Sequence, residues 1–105
     1  MPTIFHATTS DLWDTAKKSG TYTVASLRDE GFIHCCTEEQ IPRIVERIYK
    51  NNDDLLILCI DTHKLESQMV YEWSPSLTAT FPHVYGPINL EAVTEVRVKK
   101  DIGVI

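Results

Sequence analysis

The chain is short of glycine, of basic side chains and of long apolar runs, and each shortage excludes something. Four glycines in 105 residues, with 43% hydrophobic and 24% charged residues, are the composition of an ordinary globular protein and exclude disorder and low complexity. Ten lysines and arginines against fifteen aspartates and glutamates leave a net charge of −5. That balance argues against a protein whose main task is to grip duplex nucleic acid by its phosphates. No apolar stretch approaches the roughly 20 residues needed to span a bilayer. Met1-Pro2-Thr3-Ile4-Phe5-His6 shows neither the basic start nor the apolar segment of a secretory signal. The expected setting is the cytoplasm, with no membrane contact. Cysteine is scarce and odd in number, at three. The adjacent pair Cys35-Cys36 leaves opposite faces of a strand and cannot readily bridge to itself, so reduced thiols are expected. No internal repeat is present. The length suits one domain over residues 1–105, large enough to bury a core without disulfides or a metal, and a monomer or weak homodimer is expected.

What is present is organised around Gly31-Phe32-Ile33-His34-Cys35-Cys36-Thr37. Gly31 follows the polar run Arg28-Asp29-Glu30 and gives the flexible backbone of a turn. Residues 32–36 then read as a short strand, with Phe32, His34 and Cys36 on one face and Ile33 and Cys35 on the other.

Around this stretch, residues 3–8 have strand composition, with Ile4, His6 and Thr8 sharing a face. Ser10-Asp11 is a candidate cap for a short helix carrying Leu12, Trp13 and Ala16 and closed by Gly20. Residues 22–27 read as a weak strand or an ordered loop. Thr37 and Gln40 form a capping-box pattern ahead of the apolar stripe Ile41, Ile44, Val45 and Ile48. Pro42 pushes the start of that helix later, because it lacks a backbone donor, and Asn51-Asn52-Asp53-Asp54 ends it. The six apolar residues 55–60 predict a strand buried on both faces at the centre of a sheet. Residues 61–65 read as a turn or short helix, 69–73 as a strand and 74–82 as a loop. Phe81-Pro82-His83-Val84-Tyr85-Gly86-Pro87 reads as a proline-stiffened piece with His83 and Tyr85 on one face. Residues 93–99 alternate as an edge or one-sided strand. The order predicts an α+β domain of two small packed sheets and two main helices.

Three features carry chemistry. The first is the imidazole set His6, His34 and His83, with Tyr85 near the last; a neutral imidazole both donates and accepts, and titrates near neutral pH. A strand histidine alone is as often a packed, hydrogen-bonded group, but three of them on strands or a rigid segment point to a pocket. His63, in an acidic turn, reads as solvated. The second is Glu72, between Tyr71 and Trp73. It is either a surface glutamate or a carboxylate able to hold a ribose hydroxyl and steady a developing cation. The third is Cys36. Its place two residues from His34 makes the side chains parallel, which is poor geometry for a thiol and its base. Three histidines with a cysteine as fourth ligand form a metal alternative, although the close paired spacings of a zinc site are missing.

Ile4-Phe5-His6-Ala7-Thr8-Thr9 with Trp13, Glu30-Gly31-Phe32-Ile33-His34-Cys35, Asp54-Leu55-Leu56 and Phe81-Pro82-His83-Val84-Tyr85-Gly86-Pro87 together resemble the family labelled domain of unknown function 952. The resemblance covers almost the whole chain. It implies a fold related to the ADP-ribosyltransferases, including the RNA 2′-phosphotransferases, with a cleft between two small sheets that holds NAD or an ADP-ribosylated intermediate. It implies no assigned reaction. By the same resemblance His6 matches a first-strand histidine that bonds a ribose hydroxyl in relatives of that fold, and Glu72 occupies a position like that of their catalytic glutamate. His34 and His83 match family motifs. Cys36 departs from a serine-like pattern, with Thr37 beside it to supply a hydroxyl.

These readings converge on a cleft for a nucleotide-like ligand with NAD as a potential substrate. His6, His34 and Glu72 are the candidate catalytic residues, and Trp13, Phe32, Cys36, Thr37, His83 and Tyr85 the candidate binding residues. The chemistry expected of it is transfer or cleavage at ribose C1′, with Glu72 stabilising an oxocarbenium-like state. A non-catalytic binding module and a metal protein are the alternatives.

Overall fold

The longest apolar run in the sequence forms the middle of the first sheet. In the computed structural model, which describes residues 3–48 and 54–98, strand β1 (Thr3–Thr9) pairs antiparallel with β4 (Leu55–Asp61), and β4 pairs in turn with β8 (Val93–Val98). The expected central strand is thus found at residues 55–61 and the expected edge strand at 93–98. A strand flanked on both sides and buried on both faces has no polar side to show, hence its unbroken apolar sequence. Leu58 and Ile60 pack with Ile4, Tyr22, Ile33 and Val84 on one face. Leu55, Ile57 and Cys59 pack with Phe5, Ile41 and Val45 on the other.

The second three-stranded sheet is β3 (Ile33–His34), β6 (Ala79–Tyr85) and β5 (Gln68–Ser74), with β6 in the middle. A two-stranded ribbon of β2 (Thr21–Tyr22) and β7 (Ile88–Asn89) completes the sheet structure. The architecture is α+β as expected, but among the described residues the strands fall into three small antiparallel sheets rather than two.

Two expectations for the loops are corrected here. The piece carrying His83 and Tyr85 is a strand, and the connection before it is confined to residues 75–78. Pro82 is tolerated in this central strand because its carbonyl faces the β3 side, where it accepts from Cys35 N at 3.1 Å. The ladder bond lost to the missing N–H falls where β3 has already ended. Residues 25–27, read with 22–24 as a weak strand or an ordered loop, belong instead to the helix α2 (Ala25–Glu30). It has six residues, no buried side chain and no side-chain N-cap, so no apolar stripe announces it. Gly31 closes it at φ 91, giving its N–H to the Ser26 and Leu27 carbonyls, a left-handed cap that favours glycine.

The two longer helices lie where the spacing put them. Helix α1 (Ser10–Ser19) ends at Gly20 in the left-handed region, while its N-cap is Thr9 rather than Ser10 or Asp11, with Thr9 Oγ1 accepting from Leu12 N. A single 3-10 turn at Glu38–Gln40 precedes α3 (Ile41–Ile48), so the α-helix proper starts one turn past Thr37, and Gln40 Oε1 accepts from Thr37 N at 2.9 Å. The expected helix stop at 51–53 and the last residue of the strand expected over 93–99 lie outside the described residues. Among the described residues no helix is long and apolar enough to cross a membrane.

One crossing joins the two larger sheets and places the site. After His34 the chain leaves β6 and meets β1, where Phe5 N donates to Cys36 O at 2.8 Å and Cys36 N donates to Phe5 O at 2.7 Å. The strand expected at residues 32–36 is therefore shared: Ile33 and His34 belong to one sheet, and Cys36 bridges to the other.

Candidate functional site

Side-chain alternation along three strands turns a set of imidazoles toward the gap spanned by that crossing. On β1, His6 shares a face with Ile4 and Thr8; on β3 and β6, His34 stands directly opposite His83. A cleft of about 720 Å³ opens between the sheets, and His6, His34 and His83 all line it. Phe5 to Thr8, Tyr22, Phe32 to Cys36 except Ile33, and the hairpin tip from Trp73 to Leu77 form most of its wall.

His6 is held most tightly. Its Nδ1–H donates to the His34 carbonyl at 2.5 Å, and its Nε2 lies 2.6 Å from the Tyr22 hydroxyl, which also reaches Thr8 Oγ1 at 2.7 Å. Burial pushes its pKa down from 6.5 to about 4, against the opposite pull of the His34 carbonyl and with a further lowering from the His34 ring. The ring is therefore neutral at pH 7, and with Nδ1 donating, Nε2 is an acceptor. His6 thus anchors the His34 backbone to β1 as well as lining the cleft.

His34 and His83 meet edge to face, with ring centroids 5.4 Å apart and planes at 77°. Each is paired with a carboxylate. His34 Nε2 lies 3.2 Å from both Glu30 oxygens, one helical spacing back in the sequence. His83 Nδ1–H donates to Glu72 Oε1 at 2.7 Å, and the Tyr85 hydroxyl donates to the same oxygen. Those two hydrogen bonds, Tyr85 first and His83 second, hold the Glu72 carboxyl below its ordinary value, and the carboxylate in turn raises the Tyr85 phenol. Phe32 lies flat on His83, with centroids 4.0 Å apart and planes at 16°. A carboxylate on Nδ1 sets the tautomer of a neutral imidazole and leaves Nε2 as an acceptor, the arrangement of a general base held in place.

The expected residues are thus sorted. Phe32, Cys36, His6, His34 and His83 line the cleft, whereas Glu72, Trp13, Thr37 and Tyr85 do not. Glu72 touches His83 and Tyr85 and reaches the cleft only through the imidazole. Trp13 packs on the core behind Tyr22, with ring centroids 6.5 Å apart. Thr37 opens the turn before α3. Cys36 is buried, and burial pushes its thiol up to about 12; Cys35 is raised further, by burial first and by Cys36 second. Neither thiol is a nucleophile at neutral pH. Among the described residues no group of three or more His, Cys, Asp or Glu is arranged to hold a metal ion, so the metal alternative lacks its ligand set.

Among the cleft residues that went unread in the sequence are Tyr22, Glu30 and the tip Ser74 to Leu77. Glu30 and His34 are four apart, a pairing signal only once 25–30 is known to be helical. The others have no local signature.

Residues 7–96 match the family described as Protein of unknown function (DUF952). The crystal structure of protein CC0527 from Caulobacter crescentus is similar at TM-score 0.80 and 27% identity, covering 92% of this chain and 85% of that one. The solution NMR structure of the same bacterial protein gives TM-score 0.78 and 28% identity over 93% of this chain and 84% of that one. No curated protein matches the chain. With a match over most of its length, including His34, Glu72 and His83, the chain belongs to the DUF952 family.

Proposed function

We propose that the inter-sheet cleft binds a nucleotide-type small molecule, of which NAD and ADP-ribose are the first to be tried, and that His83, held by Glu72, is its acid–base group. The observation that carries this reading is the convergence of His6, His34 and His83 on one cleft of about 720 Å³, a size suited to a small-molecule ligand. A cleft flanked by two small antiparallel sheets, with a first-strand histidine on its wall, also supports an ADP-ribosyltransferase-like arrangement. The chemistry in keeping with that is cleavage or transfer at ribose C1′.

Glu72 has a different part in this reading from the one its position on the chain suggested. It stands outside the cleft and bonds His83, so it acts as a positioning residue, and His83 Nε2 is the atom available to take or give a proton. That same placement favours a second reading, a module that binds its ligand without turning it over, because Glu72 itself does not line the cleft. Three free, buried cysteines support a cytoplasmic setting.

Calorimetric titration with NAD, ADP-ribose and nucleoside monophosphates tests the binding, and analysis of the recovered ligand separates the two readings. Saturable heat with at least one of them is expected. No heat from any of them, with the protein shown to be folded, contradicts the proposal; a ligand recovered intact assigns the binding module.

A further inference from the structure

Strand β5 lies at the margin of its sheet, with β6 on one side and, among the described residues, no strand on the other. Pro82 decides which of its backbone groups face that open side. In an antiparallel pair the N–H and C=O of one residue point to the same neighbour, and those of the next residue point the other way. Pro82 turns its carbonyl to β3, where it accepts from Cys35 N at 3.1 Å, so Tyr71, opposite Pro82 in the register, has no ladder bond there. Tyr71 therefore points its N–H and C=O outward, and so do Met69 and Trp73, two residues to either side. None of these six groups bonds another backbone group among the described residues. Val70 and Glu72 turn theirs inward, to His83 and Phe81 of β6.

The side chains sort the same way. Met69, Tyr71 and Trp73 share the sheet face opposite Glu72, Phe81 and His83. Tyr71 is 51% and Trp73 61% exposed, more than Leu12 or Tyr85, while Met69 packs on the core. Native sheets guard such an edge with a lysine, a proline, a bulge or a very short strand. Gln68–Ser74 has seven residues in regular register against β6, with neither a lysine nor a proline. Its one charge, Glu72, is turned back to His83 and Tyr85 of β6.

A second copy of the strand completes this edge. Laid antiparallel about a two-fold axis at Tyr71, it sets Tyr71 opposite the partner's Tyr71 and Met69 opposite the partner's Trp73, so that all the outward groups of both strands are paired at once. A slip of one residue would face them with groups already bonded to β6. The same register lays an indole against a thioether and sets the two phenol rings across from each other, contacts that stabilise a strand pair. It also puts Val70, rather than a carboxylate, opposite the partner's Glu72.

We infer that β5 is a self-association edge, through which two copies of the chain join their three-stranded sheets into one continuous antiparallel sheet. The inference does not depend on what the cleft binds. One strand per copy is far less than the roughly 20–30 residues a side of a standard interface, so the dimer is weak. The net −5 on each copy opposes it, and added salt strengthens it.

Sedimentation velocity and amide hydrogen exchange by NMR test this on the full chain from about 20 µM to about 1 mM, the range in which a weak dimer forms. The mean mass is expected to climb toward that of two chains. Over the same range exchange at the Met69, Tyr71 and Trp73 amides should slow by about threefold or more, while the Val70 and Glu72 amides are protected throughout. Tyr71→Lys, at an exposed position, sets two ammonium groups face to face and is expected to weaken association about tenfold or more. Should that variant unfold, the wild-type exchange pattern decides alone. A single-chain mass up to about 1 mM overturns the inference and leaves the edge to a strand of another sequence. Protection of all three amides at the lowest concentration assigns the edge to a segment of the same chain and overturns it too. So does association in which these amides still exchange freely, or which folded Tyr71→Lys does not weaken, because the contact then lies on another face.

Discussion

His83 Nδ1 and Glu72 Oε1 lie 2.7 Å apart, diagonally across β6 and β5, with Glu72 opposite Phe81 and His83 opposite Val70 in the strand register. The pairing needs no loop to hold it: two residues on one face of one sheet, a diagonal apart, are within reach by strand geometry alone. It turns a strand glutamate into the group that decides which nitrogen of His83 carries the proton.

The tautomer is therefore the first quantity to measure. Nitrogen-15 NMR of the His83 ring in its neutral form is expected to show the proton on Nδ1, and Glu72→Ala to move the population toward the Nε2-protonated form that free imidazole prefers. Glu72→Gln, which can still accept through its amide oxygen, should retain much of the Nδ1 form. An unchanged tautomer in Glu72→Ala would break the link between the two residues.

Stability should fall in mild acid because of His6. The unfolded ring takes a proton near 6.5, whereas burial holds the folded ring down to about 4. Between those values the unfolded chain binds more protons, so stability is full above about pH 6.5 and is lost as pH drops toward 4, by on the order of 3 kcal/mol. Urea unfolding across that range measures it, and His6→Gln, which cannot titrate there, should flatten the slope. A wild-type profile that is already flat would show that His6 is not held neutral by burial.

The thiols should be inert in the folded protein. Burial raises Cys36 to about 12 and Cys59 to about 11, and Cys35 lies higher still for the same reason. A thiol-labelling reagent at neutral pH is expected to modify none of the three quickly, and all three once the chain is unfolded, as counted by mass spectrometry. Rapid native labelling at Cys36 would return it to consideration as a reactive group.

Sequence and structure agree where a pattern runs long enough to have a period. The unbroken apolar 55–60 run, the one-sided stripe before 48 and the glycine at 20 each stated their element in a few residues. Helix α2 has fewer than two turns and no fully buried residue, with Leu27 alone among its large apolar side chains packed on the core, so no periodicity could show it. Strand β6 was hidden by Pro82, whose tolerance depends on where β3 ends, a tertiary fact. The imidazoles were legible because alternation assigns a strand residue its face. Their supports were not: the Tyr22 contact to His6 and the place of the tip 74–77 on the cleft wall arise from chain segments that meet only in the fold.

The account stands or falls on whether the converging imidazoles form one ligand site. Histidine-selective NMR during titration with ADP-ribose measures this, because His63 lies exposed in the turn after β4 and serves as an internal reference. The ring signals of His34 and His83 are predicted to shift together along one saturable curve while His63 stays still. Rings that do not move, or that all drift equally with His63, would contradict it.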